Sequence, residues 1–569
     1  MKVSLPSRLS VLFFVFSFLS LLLAGRLYFL QIVHGEEFSE RADRQYIRPV
    51  STSFNRGSIF FENRDGTHPG AATLKSGFTV AINPNLLPDP QKVYERLSSI
   101  LTLDSENFFA RAGKKDDPYE EIARRVDEAT AERINALGIT GLSTFHEKWR
   151  FYPRATLAAH AIGFVAYKGD TLSGQYGLER YYDDVLRRDG GDIYINFFAE
   201  IFSGIKKNIV EKKPGEGDIV TTIEPSVQTF LEDKLREIDT QWSPEEIGGI
   251  IINPQNGEIY AMAGYPTFDP NNFQGEKDIS LFRNPLIENV YEMGSIIKPL
   301  TIAVAIDAGV ITATTTYEDR GFLVLNNAKI SNYDGKARGV VDMQEVLNQS
   351  LNTGAAFAAL RMGKETFTKY MKNFHLGDET GIDLPNESYG LTKNFNNPRD
   401  VELATAAYGQ GVAFTPIATV RALSALGNGG TLIDPHIVKK IEYRTGLSKT
   451  ITSLPGERVI KKSTSDEITR MLVNVVDKAL LGGVVKLPHY SIAAKTGTAQ
   501  IAKSGGGGYD ETRFLHSFFG YFPAYKPQFL VFLFAINPLG ARYASETLTR
   551  PFMDTTKFLI NYYEIPPDR

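Results

Sequence analysis

Hydrophobic positions along the 569-residue chain fall into three regimes. Leu9 to Gly25 is a run of 17 residues without a charge, rich in Leu, Phe and Val, and after Arg26 the apolar character resumes from Leu27 to Val33. About 17–25 such residues cross the hydrocarbon core as a helix, so the pattern predicts one transmembrane anchor over 9–33. Lys2 and Arg8 on the leading side put residues 1–8 in the cytoplasm and everything after the anchor outside. A cleaved signal peptide is the alternative. Its apolar region would be only about 7–15 residues long, and Arg26 stands where a small-residue cleavage site would be needed.

From 34 to 217 short strand-like runs alternate with polar, charged segments. Glu120 to Ala136 reads as a surface helix, with Ile122, Val126, Ala129 and Ile134 on one side. The stretch Lys212-Lys213-Pro214-Gly215-Glu216-Gly217-Asp218 combines charge with Pro and Gly and marks a domain boundary. Beyond it, over 218–569, the pattern changes. Glu224 to Asp239 is an amphipathic helix, followed by apolar strands Gly248–Asn253 and Glu258–Ala263 around an Asn-Pro-Gln-Asn-Gly hairpin link. Helices and turns fill 295–480. Strand-like runs then cover Tyr490–Ala502, Ser517–Phe522 and Phe529–Asn537, with the loop Gly505–Gly508 between the first two, and a helix over Phe552–Tyr562 closes the chain. Strands at both ends with helices between them predict an α+β domain whose antiparallel sheet is assembled from both of its termini.

Composition narrows the chemistry. With 62 Lys plus Arg against 66 Asp plus Glu, no basic excess exists to neutralise a phosphate backbone, so nucleic-acid binding is not expected. The absence of Cys removes thiolate nucleophiles and Cys-built zinc sites. The eight His show no ligand-pair spacing, and neither a metal nor another cofactor is expected. A nucleophile is then most simply Ser with Lys as its base, and Ser-x-x-Lys puts both on one helix face. The pattern occurs twice. Ser203-Gly204-Ile205-Lys206 lies in a polar stretch, whereas Ser295-Ile296-Ile297-Lys298 follows Gly294 and opens the apolar helix Leu300–Ala308. Gly294 allows close backbone approach, and a helix N-terminus favours developing negative charge.

Two further patterns follow in order. Ser350-Leu351-Asn352 lies between helical stretches, and Lys495-Thr496-Gly497-Thr498 lies on a strand, where Gly497 would leave room for a substrate backbone alongside. Each triplet has decoys, including Ser53-Phe54-Asn55, Ser105-Glu106-Asn107, Lys75-Ser76-Gly77 and Lys503-Ser504-Gly505. Together, ordered and on suitable elements, the three match the set found in penicillin-binding proteins and class A β-lactamases. The chain resembles a class B penicillin-binding protein, a peptidoglycan D,D-transpeptidase. The likeness runs nearly end to end, through Arg56-Gly57-Ser58-Ile59, Tyr152-Pro153, Ala159-His160-Ala161-Ile162-Gly163, Gly174-Gln175-Tyr176-Gly177-Leu178-Glu179, Tyr408-Gly409-Gln410-Gly411 and Ser517-Phe518-Phe519-Gly520-Tyr521. Met293 replaces the family's usual Pro, Ala494 its frequent Gly, and the stretch Phe60–Gly66 is longer than the usual form.

The resemblance implies an anchor, an elongated pedestal or dimerisation-type domain over 34–217, and a transpeptidase domain over 218–569, with an antiparallel sheet sandwiched by helices as in serine β-lactamases. It implies roles too. Ser295 is the nucleophile, Lys298 its base with a pKa lowered by burial and by Lys495, Ser350 a proton relay, and Asn352 a holder of the substrate amide. Thr496 and Thr498, with Lys495, grip the substrate carboxylate alongside Gly497, and the backbone N–H groups of Ser295 and Thr498 form the oxyanion hole. The partners implied are D-Ala-D-Ala stem peptides, β-lactams as inhibitors, a polytopic membrane glycosyltransferase and divisome proteins. Ser-x-Asn with Lys-Thr-Gly-Thr-Ala-Gln favours the division branch over the elongation branch. A carboxypeptidase, a β-lactamase, a β-lactam sensor and an inactive scaffold are the alternatives; the single span and the intact Ser295, Lys298, Ser350, Asn352 and Lys495 weigh against the last three. His160 and His516 read as structural, and Tyr408–Gly411 as a turn bordering the cleft.

Overall fold

The computed structural model describes residues 16–23, 26, 54–115, 117–169, 171–188, 215–452, 456–503, 505 and 507–569. Of the expected anchor, 16–23 and 26 are helical, and the remainder of 9–33 lies outside the described residues, as does Ser203–Lys206. No described helix is long and apolar enough to cross a membrane. Two compact units are present. The smaller is built mainly from Leu74–Trp149; the larger takes the described residues of Arg56–Thr73, Arg150–Asp189 and Ile193–Arg569.

In the smaller unit, helices Pro90–Ser98, Ser105–Ala112 and Glu128–Asn135 each start at an aspartate, Asp89, Asp104 and Asp127, whose carboxylate accepts backbone N–H groups of the first turn. These helices pack Val93, Leu97, Phe108 and Ile134 against Val80, Ile82 and Val126 of the strands. The expected helix Glu120–Ala136 is here a strand, Glu120–Val126, and then a helix, Glu128–Asn135. Ala123 and Val126 lie opposite Val80 and Phe78 in the antiparallel pairing, and the Asp127 cap starts the helix only after the strand ends. Asp-x-x-Thr at the cap was the local signal, and the helical spacing of Ile122 and Val126 masked it.

In the larger unit the central sheet has five antiparallel strands in the order Ala493–Ala502, Tyr509–Phe522, Phe529–Ile536, Glu246–Ile252, Ile259–Tyr265. The last two come from the start of the domain and the first three from its end. Where both faces are buried, as in Phe529–Ile536, the strand reads as a nearly unbroken apolar run, and the two-residue alternation divides the core. Phe519, Tyr521, Phe532, Phe534 and Ile250 face one side, with Leu300, Ala303, Leu423 and Met471 of helices Lys298–Asp307, Pro416–Gly427 and Lys462–Asn474 in the same cluster. Phe518, Phe522, Val531, Leu533 and Ile251 face the other, with helices Pro225–Trp242 and Thr549–Tyr562. Within this unit Glu179, fully buried, accepts from Arg56 at 2.7 Å and Arg150 at 2.5 Å. Burial acts to raise the Glu179 carboxyl, and the two guanidiniums outweigh it and hold it below the usual carboxylate range.

Candidate active site

Ser295 lies in a short 3₁₀ turn, Gly294–Ile297, that runs directly into the Lys298–Asp307 helix with Pro299 in its first turn. The missing N–H of Pro299 costs nothing there. Gly294 has φ +63°, and a Cβ on it would stand 3.0 Å from that of Ala499, so only glycine lets this turn lie against the Ala493–Ala502 strand. The turn is held from several directions. Gly294 N–H donates to Gly409 O at 3.0 Å, Tyr291 and Phe414 exchange backbone hydrogen bonds, and the Ser517 hydroxyl donates to Met293 O at 2.8 Å. The Tyr408–Gly411 segment is thus a turn packed on the backbone of the Ser295 turn.

Lys298 is fully buried, and its Nζ lies 2.9 Å from Ser295 Oγ, 2.6 Å from Ser350 O and 3.1 Å from Ser350 Oγ. Ser350 reaches it with both oxygens because its backbone is left-handed, φ +55°, between helices Met343–Asn348 and Asn352–Met362. That conformation is costly for a residue with a Cβ, and such outliers gather at functional sites. From the opposite wall Lys495 Nζ donates to Ser350 Oγ at 3.0 Å and to Thr496 O at 3.0 Å. Burial, followed by the Lys495 charge, pushes the Lys298 ammonium well below its ordinary pKa. Burial alone brings Lys495 down to about 7. A neutral amine has two N–H groups and one lone pair. Two contacts can take the N–H groups, on Ser350 O and Oγ, which leaves the lone pair for the Ser295 proton.

Of the residues singled out from sequence, Ser295, Lys298, Ser350 and Lys495 therefore form one hydrogen-bonded chain. Asn352 stands apart from it, its Nδ2 donating to Ser331 O at 2.9 Å. Thr496, Gly497 and Thr498 lie on the edge strand, and Thr498 Oγ1 accepts the Ala544 N–H at 3.0 Å, so its own proton is available to donate. Gly497 is also required from within the protein. A Cβ there would stand 2.3 Å from Ser517 Oγ and 2.9 Å from Met293 O, so the glycine makes room for the turn that carries Ser295. His160 and His516 are buried against Leu281 O and Arg542 O, both brought down to about 4 mainly by burial, and so are neutral structural groups. Ser331, at the end of the Ala328–Ser331 strand, carried no signal in the sequence, because it meets Asn352 only through the fold. No group of metal-binding side chains occurs among the described residues.

Comparison with known proteins shows the family of the chain. The family model of the penicillin-binding protein transpeptidase domain matches residues 247–554, and that of the penicillin-binding protein dimerisation domain matches 54–222. Stage V sporulation protein D of Bacillus subtilis is 31% identical over 551 residues, covering 94% of this chain and 82% of its own. A probable peptidoglycan D,D-transpeptidase of Neisseria meningitidis is 26% identical, covering 95% and 90%. The crystal structure of penicillin-binding protein 2X from Streptococcus thermophilus superposes with a TM-score of 0.72 at 19% identity, over 89% of this chain and 80% of that one.

Proposed function

Since this chain belongs to the penicillin-binding transpeptidase family, with the dimerisation and transpeptidase domains of its class B members, we propose that it crosslinks peptidoglycan stem peptides through an ester on Ser295. The observation that carries the reading is the 2.9 Å contact between Ser295 Oγ and a buried Lys298. In the first step Ser295 Oγ bonds to the carbonyl carbon of the penultimate D-Ala while its proton passes to the Lys298 lone pair. Backbone N–H groups of Ser295 and Thr498 hold the oxyanion, each worth about 2.7–4 kcal/mol in comparable sites. The C–N bond then breaks, and the departing D-Ala amine takes a proton through Ser350, which touches both Lys298 and Lys495. In the second step an amine of a neighbouring stem attacks the ester, forms the new amide and returns the proton to Ser295.

Asn352 holds the amide of the donor stem, and Lys495 with Thr496 and Thr498 holds its terminal carboxylate, beside Gly497 on the open edge of the sheet. β-Lactams, which carry a carboxylate next to a strained amide, enter the same way and remain as esters. We place the protein in the cell membrane by the 9–33 segment, with the catalytic domain outside, working in septal synthesis beside a polytopic glycosyltransferase and divisome proteins. Glycan strands carrying pentapeptides test the reaction. The expected products are crosslinked dimers with one D-Ala released per crosslink, and neither with Ser295→Ala. D-Ala release without dimers would make the protein a carboxypeptidase. A fluorescent fusion gathering at midcell supports the septal role, and one along the side wall contradicts it.

A further inference from the structure

We infer that Asp319, a buried carboxylate outside the three catalytic motifs, is a positioning residue that aims the Asn352 amide at the donor stem; the inference rests on the acyl-transfer reading above. Asp319 is 1% exposed, and four groups donate to it. Its Oδ1 accepts from Gly321 N at 3.0 Å, Asn332 Nδ2 at 3.0 Å and Thr353 Oγ1 at 2.8 Å. Its Oδ2 accepts from Asn332 Nδ2 at 3.0 Å and Arg338 N at 3.0 Å. Asn332 and Thr353 are bound to each other as well, Thr353 N–H donating to Asn332 Oδ1 at 3.2 Å.

The consequence lies one residue away on each arm. Ser331, next to Asn332, supplies the carbonyl that accepts from Asn352, and Asn352 is itself next to Thr353. One carboxylate therefore fixes both partners of the Asn352–Ser331 hydrogen bond. Because a carbonyl only accepts, the end of the Asn352 amide that faces it must be the NH₂. One Nδ2 proton is spent on Ser331, so the second N–H and Oδ1 are the groups left to face a substrate amide, the one for its carbonyl and the other for its N–H. Buried networks of this kind are stable only when every member is satisfied, so losing one acceptor frees the whole loop rather than one bond.

Thr353→Val removes the hydroxyl at nearly constant shape, and Asp319→Asn replaces an acceptor with a donor facing other donors. The second-order rate of acylation by benzylpenicillin, measured on the full chain, is expected to fall on the order of 10²-fold for Asp319→Asn, the scale of a misplaced reacting group. A fall of about tenfold is expected for Thr353→Val, where one of the four donors is lost. Thr353→Ser, which keeps the hydroxyl, should restore the wild-type rate. The deciding arm is Asn352→Ala: in that background Asp319→Asn and Thr353→Val should cost nothing further, since residues acting through one group are non-additive. Equal losses in both backgrounds, or no loss in Thr353→Val, would overturn the inference. Should Asp319→Asn fail to fold, Thr353→Val decides alone. A wild-type protein that forms no adduct overturns the acyl-transfer reading and this inference with it, whereas an adduct with additive losses overturns this inference only.

Discussion

Lys298 and Lys495 share one hydroxyl, yet the proposed chemistry asks opposite things of them. Lys298 must be neutral to take a proton, and Lys495 must be charged to hold a carboxylate. The rate of acylation by benzylpenicillin at low concentration reports the free protein, so it should rise with pH as Lys298 deprotonates and fall as Lys495 loses its charge around pH 7. A rate still climbing toward the ordinary lysine pKa of about 10.4 would contradict this. Lys298→Ala should lower the same rate by about 10²–10⁴-fold, the range for a lost general base. Stability moves the other way. The folded Lys495 titrates near 7 and the unfolded one near 10.4, so the unfolded chain binds more protons between those values. The cost to folding is therefore full below pH 7 and vanishes toward pH 10. Lys495→Met should melt higher than wild type at pH 7, with the gap closing as pH rises; a constant gap would show that packing, not ionisation, sets it.

Elements place these residues, and here the sequence was legible in proportion to how local the cause is. The five strands of the larger unit could be read because their cause is a run of apolar residues, although their ends shifted. The strand begun at Ser517 in the pattern starts at Tyr509, since Leu515, Phe514 and, across a register shift, Tyr509 pair with Ala499, Gln500 and Ala502 of the edge strand. Glu120–Val126 was misread because pairing with a chain-distant strand overrode a helical spacing. Ser295, Lys298 and Lys495 were found by motif. The Asp319 network was invisible, as its members stand 13 and 34 residues apart. At Gly497 the pattern suggests room for a substrate, whereas the close approach of Ser517 and Met293 carries no sequence signal. Gly497→Ala should drive the edge strand off the nucleophile turn, costing about 1–3 kcal/mol of stability as overpacking does. By the same displacement it should cost on the order of 10²-fold in acylation. Urea unfolding and the acylation rate read the two effects, and an unchanged rate would mean the turn is not set by this contact.

At the scale of the molecule, the boundary read at 212–218 follows composition, whereas compactness groups Arg56–Thr73 and Arg150–Asp189 with the C-terminal part. Glu179 ties these two segments to each other, its carboxylate joining guanidiniums from both with no exposure to solvent, and the parallel pairing of Ile59–Phe60 with Ile219–Val220 ties them to the C-terminal part. Glu179→Gln leaves two buried cations under-compensated and should destabilise by about 3–5 kcal/mol near pH 7. Because the folded carboxyl is held below its ordinary pKa of about 4.3, its contribution is lost as pH falls through that lower value, so the difference from wild type should shrink in acid. Thermal melts at pH 7 and pH 3 check both statements. If the chain acts through a single serine, peptide mapping after incubation with benzylpenicillin will locate it. One stable penicilloyl ester is expected, on the peptide containing Ser295, and none in Ser295→Ala. A label on any other residue, including Ser203, or one that survives Ser295→Ala, would contradict it.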